Sequence, residues 1–188
     1  MRKVNSQEHN RKKEDIMQLC YDCYAEYGLS NVGIKKLGEA CNIASGSLYT
    51  YFKDLDDLII QSTEYCMSKV EDEFMEKAPK SPSDIERFIN EIPYWTASKH
   101  GKKYRLMYQV YTNPKYLMYG KKFFEGVNER YTNYAKLLET KINMPYETIL
   151  AFIFMFVRAC VHFAIFEDEF YLRTQINLLK IGINQYLE

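Results

Sequence analysis

Residues 34–52 constrain this chain more than any other stretch, because they must turn sharply between two short helices. Ile34, Leu37, Gly38 and Cys41 stand at i, i+3, i+4 and i+7, so one side of the first helix is apolar or tight against a neighbour. Asn42 stops that helix. Asparagine tolerates the left-handed conformation common just past a helix end, and Ile43 can fold back onto the helix it leaves. From Ala44 to Phe52 a second helix follows, anchored by Leu48 and Phe52 at i, i+4, with an outer face of small hydroxyls and tyrosines that is polar without being charged.

Two short helices joined by a tight turn, the second presenting Ser, Gly, Thr and Tyr, have the layout of a helix-turn-helix, whose second helix enters the major groove of DNA. Small residues let the backbone approach base edges, and hydroxyls bond to bases or phosphate oxygens. Residues 28–58, centred on Gly46-Ser47-Leu48-Tyr49-Thr50-Tyr51-Phe52, resemble the DNA-binding domain of the TetR family of bacterial transcriptional regulators. The family's pattern of a small residue, Gly, Thr or Ser, Leu-Tyr, any residue and Tyr-Phe is met at each position. The resemblance implies a double-stranded DNA operator as partner. It places Ser45, Gly46, Ser47, Tyr49 and Thr50 at or near bases, and Lys35, Lys36, Tyr51 and Lys53 at phosphates. Two positions depart from the pattern. Val32-Gly33 stand where many members carry a hydroxyl pair, so Ser30 or Asn31 must supply the helix cap, and Leu55 stands where a lysine is usual, leaving that phosphate contact to Lys53.

With 188 residues, 47% of them hydrophobic and 27% charged, the chain can bury a core without staples. Its longest apolar run, 149–157, ends at Arg158, short of the ~18 residues of a membrane span, and its start has no apolar signal core. The expectation is a cytoplasmic protein without a membrane partner. Five cysteines, an odd number set in apolar helical patterns, suit reduced thiols, and Cys20 with Cys23 at i, i+3 suits core packing. With His9, His100 and His162 well apart, no metal and no cofactor is expected. No nucleophile–base pair or phosphate-cradling glycine loop is visible, so no residue is assigned to catalysis. Charges balance at 25 against 25, yet residues 1–53 hold a small excess of Lys and Arg, which suits DNA binding by one end.

In chain order, residues 1–9 read as a loose arm. The next helix should bury Ile16, Leu19, Cys20, Cys23, Tyr24 and Tyr27 and end at Gly28. Near its start lie Arg11, Lys12 and Lys13, where the family touches the phosphate backbone. Asp54 and Asp57 resemble a capping box for a helix over 55–78, with Asp56 and Asp57 suited to its positive end. Pro79-Lys80-Ser81-Pro82-Ser83 breaks it. Helices are expected at 84–99, 103–112, 115–141, 146–166 and 169–187, with Asn113-Pro114 and residues 143–145 as starts, and nothing reads as a strand. The fold class is all-α: an N-terminal three-helix helix-turn-helix DNA-binding domain, 1–54, and a C-terminal helical regulatory and dimerisation domain, 55–188.

Ten of the seventeen tyrosines lie between Tyr94 and Tyr171, mixed with methionines and the Phe-rich run 152–156. Such residues suit a pocket for a small-molecule effector, and equally a helical core. Trp95, Tyr108, Tyr111 and Phe124 are the candidates on that ground. Arg158 stands among apolar neighbours with His162 one turn on. A buried cation there needs a carboxylate, such as Glu91, Glu125 or Glu129, or an anionic or carbonyl group of a ligand. Leu172, Ile176, Leu179, Ile183 and Leu187 form a stripe on the last helix. The resemblance implies a homodimer through the last two helices; the alternative is that the stripe docks on its own body. The reading is a homodimeric repressor released from a pseudo-palindromic operator by a small molecule. A regulator of the same fold that answers to a protein partner, or activates, is the alternative.

Overall fold

The computed structural model describes residues 6–187, the side chain of Leu187 apart, and among these it contains helices and turns but no strand. Of the arm expected at 1–9, residues 1–5 lie outside this range, and from Ser6 the chain is already helical. The elements are α1 Ser6–Tyr27, α2 Ile34–Ala40, a 3-10 helix Ser45–Thr50, α3 Leu55–Lys77, α4 Pro82–Tyr111, α5 Leu117–Glu139, α6 Tyr146–Phe166 and α7 Glu169–Leu187. Contacts divide the chain into a head unit, up to Asp72 with Arg105–Lys121, and a body unit, Glu73–Tyr104 with Lys122–Glu188. Residue 54 thus closes the helix-turn-helix, while the compact head continues along α3.

In the head unit, α1 buries Ile16, Met17, Cys20, Tyr21, Cys23 and Tyr24. Leu19 and Tyr27, expected inside, are 42% and 53% exposed. Met17 and Tyr21, each one residue beyond Ile16 and Cys20, draw the buried stripe round the helix and leave Leu19 and Tyr27 at its edge. The Cys20 and Cys41 sulfurs lie 3.5 Å apart, so Cys20 pairs with the end of α2 rather than with Cys23. That contact and burial push the Cys20 thiol far above its ordinary range, which keeps it protonated and unreactive.

Capping sets the ends. Gly33 occupies the N-cap of α2 without a side-chain bond, and Asn31 Nδ2 instead donates to the Tyr27 carbonyl at 3.0 Å. The expected Ser30 or Asn31 cap is therefore absent, because Leu29–Asn31 form their own 3-10 turn and Val32 is extended. At α3 the box is present: Asp57 N–H donates to Asp54 Oδ1 at 2.8 Å and Lys53 N–H donates to Asp57 Oδ2 at 2.9 Å. Beside it, Asp56 accepts the Tyr116 hydroxyl at 2.5 Å and pairs with Lys115, which ties the segment Arg105–Lys121 to the first turn of α3. These partners hold the Asp56 carboxyl below its ordinary value.

In the body unit, α4 runs unbroken through residues 100–102, where two helices were expected. Gly101 is no stop there: a Cβ built on it would lie 2.8 Å from the Ala164 carbonyl oxygen of α6, so glycine serves close packing. Pro93 sits inside the same helix and removes one bond from the ladder. Phe74, Ile89, Ile92, Phe156, Cys160 and Leu179 form the main core cluster. α6, with mean hydropathy 2.3 over its most apolar window, is long and apolar enough to cross a membrane by length and composition, contrary to expectation. Here Ile149, Phe156, Ala159, Cys160, Phe163 and Ala164 of that helix are buried within the unit.

The stripe on α7 points inward. Leu172 and Leu179 are buried, and Ile176 and Ile183 pack against the core cluster; the Leu187 side chain lies outside the described residues. The stripe thus docks on its own body, and a different apolar set, Phe170, Leu178 and Ile181, is exposed, joined on α6 by Phe154 and Phe166. Buried His100 sets its Nε2 3.2 Å from Glu73 Oε2. Burial outweighs that carboxylate and lowers the imidazole below its ordinary 6.5.

Gly101→Ala should destabilise the protein by about 1–3 kcal/mol in urea unfolding, the usual cost of overpacking. His100 adds a pH term. Because the unfolded chain binds its proton more readily, the stability associated with neutral His100 is full above 6.5 and is lost as pH falls through that value. His100→Gln should flatten unfolding free energy between about pH 7 and 5, leaving the decline set by lowered carboxylates such as Glu73, which begins below its ordinary 4.5.

Candidate nucleic-acid interface and apolar cavity

The turn between α2 and the 3-10 helix is built from three local devices. Asn42 takes the left-handed conformation with φ 51°, and Ile43 N–H donates back to the Gly38 carbonyl at 3.0 Å. Gly38 is the third. A Cβ there would lie 2.9 Å from Ser45 Oγ and 3.0 Å from both the Ile43 carbonyl oxygen and Ser45 Cα, so only glycine lets the two helices cross this closely.

The second helix, expected as an ordinary helix over 44–52, is the tighter 3-10 form over Ser45–Thr50. Leu48 and Phe52 are buried and hold it down. Ser45 and Ser47 are half-buried, while Gly46, Tyr49 and Thr50 are exposed, Tyr49 at 53%. A Cβ on Gly46 would meet nothing within 4 Å, so this side is open to an approaching backbone. Thr50 Oγ1 donates to the Ser47 carbonyl at 2.7 Å, which leaves its oxygen only as an acceptor. That suits an adenine or cytosine amine better than a phosphate.

The cations flank this helix in different ways. Lys35 and Lys53 are exposed, and the Lys53 backbone is fixed by Asp57. Lys36 holds its Nζ 3.2 Å over the Tyr27 ring, and Lys13 lies 5.2 Å from the Phe52 ring centroid. Tyr51 stacks on His9 at 4.7 Å between ring centroids and 16° between planes. His9, read from sequence as part of a loose arm, is thus a helical support for Tyr51; no local pattern signals it.

The body unit contains an apolar cavity of about 100 Å³. Phe74, Phe88, Ile89, Phe152, Ile153 and Phe156 are among the side chains that line it, and the link 79–82 forms part of its wall. Among the described residues, Lys80 and Lys141 are the only charged ones on the lining. None of the six candidates for effector contact lines it. Trp95 packs on the core cluster and edge-on to His100, at 4.9 Å between ring centroids. Tyr108 and Tyr111 belong to the head unit, Phe124 is exposed, and Arg158 is exposed rather than buried. His162 is half-buried, its Nε2 3.5 Å from Asp168 Oδ2. The Arg158 expectation failed because α6 is apolar nearly all round, so apolar sequence neighbours did not imply a buried position. Of the Phe-rich run, Phe152 and Phe156 reach the cavity while Phe154 faces outward.

Residues 16–61 match the domain described as bacterial regulatory proteins, tetR family. Over 92 residues the chain is 24% identical to the HTH-type transcriptional regulator AcrR of Shigella flexneri, a match covering 49% of this chain and 43% of that one, so it spans less than half of the relative's length. A TetR transcription regulator from Haloarcula marismortui superposes with a TM-score of 0.67 at 14% identity, over 94% of this chain and 98% of its own. The regulator FadR from Bacillus subtilis, in complex with stearoyl-CoA, superposes with a TM-score of 0.61 at 15% identity, over 89% and 97%. At these identities the two structures establish the all-helical fold, and the domain match covers the helix-turn-helix just described. Residues 16–61 are thus similar to the DNA-binding domain of the tetR family of bacterial regulatory proteins, and the described residues share the all-helical fold of TetR regulators.

Proposed function

We propose that this protein is a TetR-type transcriptional regulator, a homodimeric repressor that works in the cytoplasm and leaves its operator when a small apolar molecule enters the body unit. The observation that carries the DNA half is the open side of the 3-10 helix, held by buried Leu48 and Phe52 behind it. Ser45, Gly46, Ser47, Tyr49 and Thr50 meet base edges, and Lys35, Lys36, Tyr51 and Lys53 meet phosphates. In a two-fold dimer the two recognition helices then reach half-sites about 34–36 Å apart, or a multiple of it, on a pseudo-palindrome.

The exposed apolar residues of α6 and α7 support the dimer. Phe170 is 82% exposed and Ile181 61% exposed, a costly arrangement for a lone chain and an ordinary one at a two-fold helical interface. The cavity supports the effector half, together with the acyl-CoA bound by the Bacillus subtilis relative. Phe74 and Met75 of its wall belong to α3, the helix whose first turn is capped in the head. A ligand that fits only one setting of that helix shifts the population between binding and non-binding states.

Binding to the DNA immediately upstream of the protein's own gene, followed by fluorescence anisotropy at several salt concentrations, tests the DNA assignment. Tyr49→Ala should weaken operator binding by about 1–3 kcal/mol without unfolding the protein, and Lys35→Ala should reduce the salt slope by about one. Unchanged affinity in Tyr49→Ala refutes the base contact. For the dimer, Phe170→Asp with Ile181→Asp should give a monomer by light scattering and lower operator affinity about a hundredfold through lost bivalency. A variant that stays dimeric places the interface elsewhere.

A further inference from the structure

We infer that the body cavity takes a small apolar carboxylate, with its hydrocarbon part against the wall and its charge at Lys80 and Lys141. This deepens the effector reading above and rests on it. The wall is phenylalanine, isoleucine and leucine, and no Asp or Glu lines it. Its two hydroxyl-bearing groups nearest the link are already engaged. Ser81 Oγ donates to Asp84 Oδ2 at 2.8 Å, and Tyr134 OH donates to the Pro79 carbonyl at 2.5 Å. Burial pushes the Tyr134 phenol up to about 12, so it stays protonated and committed to that bond. Charge complementarity therefore comes from the two exposed lysines alone. A lipophilic cation would meet like charge on the lining, where the nearby Asp84 carboxylate is already engaged by Ser81 and Arg87, whereas a carboxylate would pair with one or both ammonium groups.

Size narrows the class further. The space of about 100 Å³ is smaller than a cavity of ~150 Å³ that holds a benzene ring, so the enclosed part is a short alkyl segment and the remainder of the ligand lies toward the lysines. Four of its lining residues, Phe74, Ile89, Phe156 and Leu179, also form the cluster against which Trp95 packs. Trp95 is the chain's single tryptophan, and its fluorescence reports occupancy.

The experiment is a Trp95 fluorescence titration of the full chain with octanoate, 1-octanol and octylammonium at neutral pH. Octanoate should bind about tenfold or more tighter than 1-octanol, with octylammonium weakest. The double variant Lys80→Gln, Lys141→Gln should bring octanoate down to the affinity of 1-octanol while leaving 1-octanol unchanged; both residues are exposed, so folding is not at issue. Ile153→Phe, checked for a native thermal melt, should weaken all three probes by filling the wall. If octylammonium equals or exceeds octanoate, or the lysine variant leaves octanoate binding intact, the carboxylate assignment is overturned while an effector in the cavity still stands. If none of the three binds, the cavity assignment falls as well. If octanoate binds as expected and operator affinity does not change, ligand-driven release is wrong and the ligand class holds.

Discussion

The missing side chain at Gly38 decides the geometry of the DNA-binding motif. Without a Cβ there, Ser45 and the Ile43 carbonyl come within about 3 Å of where one would stand, and α2 crosses the start of the 3-10 helix at close range. The left-handed Asn42 and the Ile43-to-Gly38 bond make the turn tight enough for that crossing. Leu48 and Phe52 then seat the helix from behind. What faces outward follows from these contacts: six residues in the 3-10 form, with tyrosine and small hydroxyls on the open side.

Adjacent carboxylates at the start of α3 divide their work. Asp57 turns back to the chain that precedes the helix and, with Asp54, caps it. Asp56 points to Tyr116 and Lys115 and holds the segment Arg105–Lys121 in the head unit. Both gain from the positive end of the helix, but only the second links stretches sixty residues apart.

In the body unit α6 serves three surfaces at once, because residues one apart on a helix face directions about 100° apart. Ala159, Cys160 and Phe163 enter the core clusters, Ile149, Phe152, Ile153 and Phe156 line the cavity, and Phe154 is left outside. α7 does the same with two faces, one packed inward and one exposed. A helix with an apolar residue on nearly every side is expected where a core, a ligand space and a partner surface meet.

Much of the chain was legible before folding because its signals are local. The stop at Asn42, the capping aspartates at 54 and 57, the break at Pro79-Lys80-Ser81-Pro82, and the bounds of α6 and α7 each depend on backbone preferences within a few residues. Local signals also misled where tertiary contact overruled them. A helix was expected to end at residue 99 but runs on through Gly101, a contact point for Ala164, and Asn31 looked like a cap and bonds Tyr27 instead. The inward face was legible for most of α1 and for the stripe of α7, but not at the edges of those stripes or around α6. Leu19 and Met17, Phe154 and Phe156, Ile181 and Ile183 are chemically equivalent neighbours, and only the position of the packing helices selects one of each pair. The sequence by itself determined an all-helical chain with a helix-turn-helix near its start; the tertiary structure alone decided the place of the cavity and of the exposed apolar face, since a 3.6-residue period cannot choose a direction on a helix apolar all round.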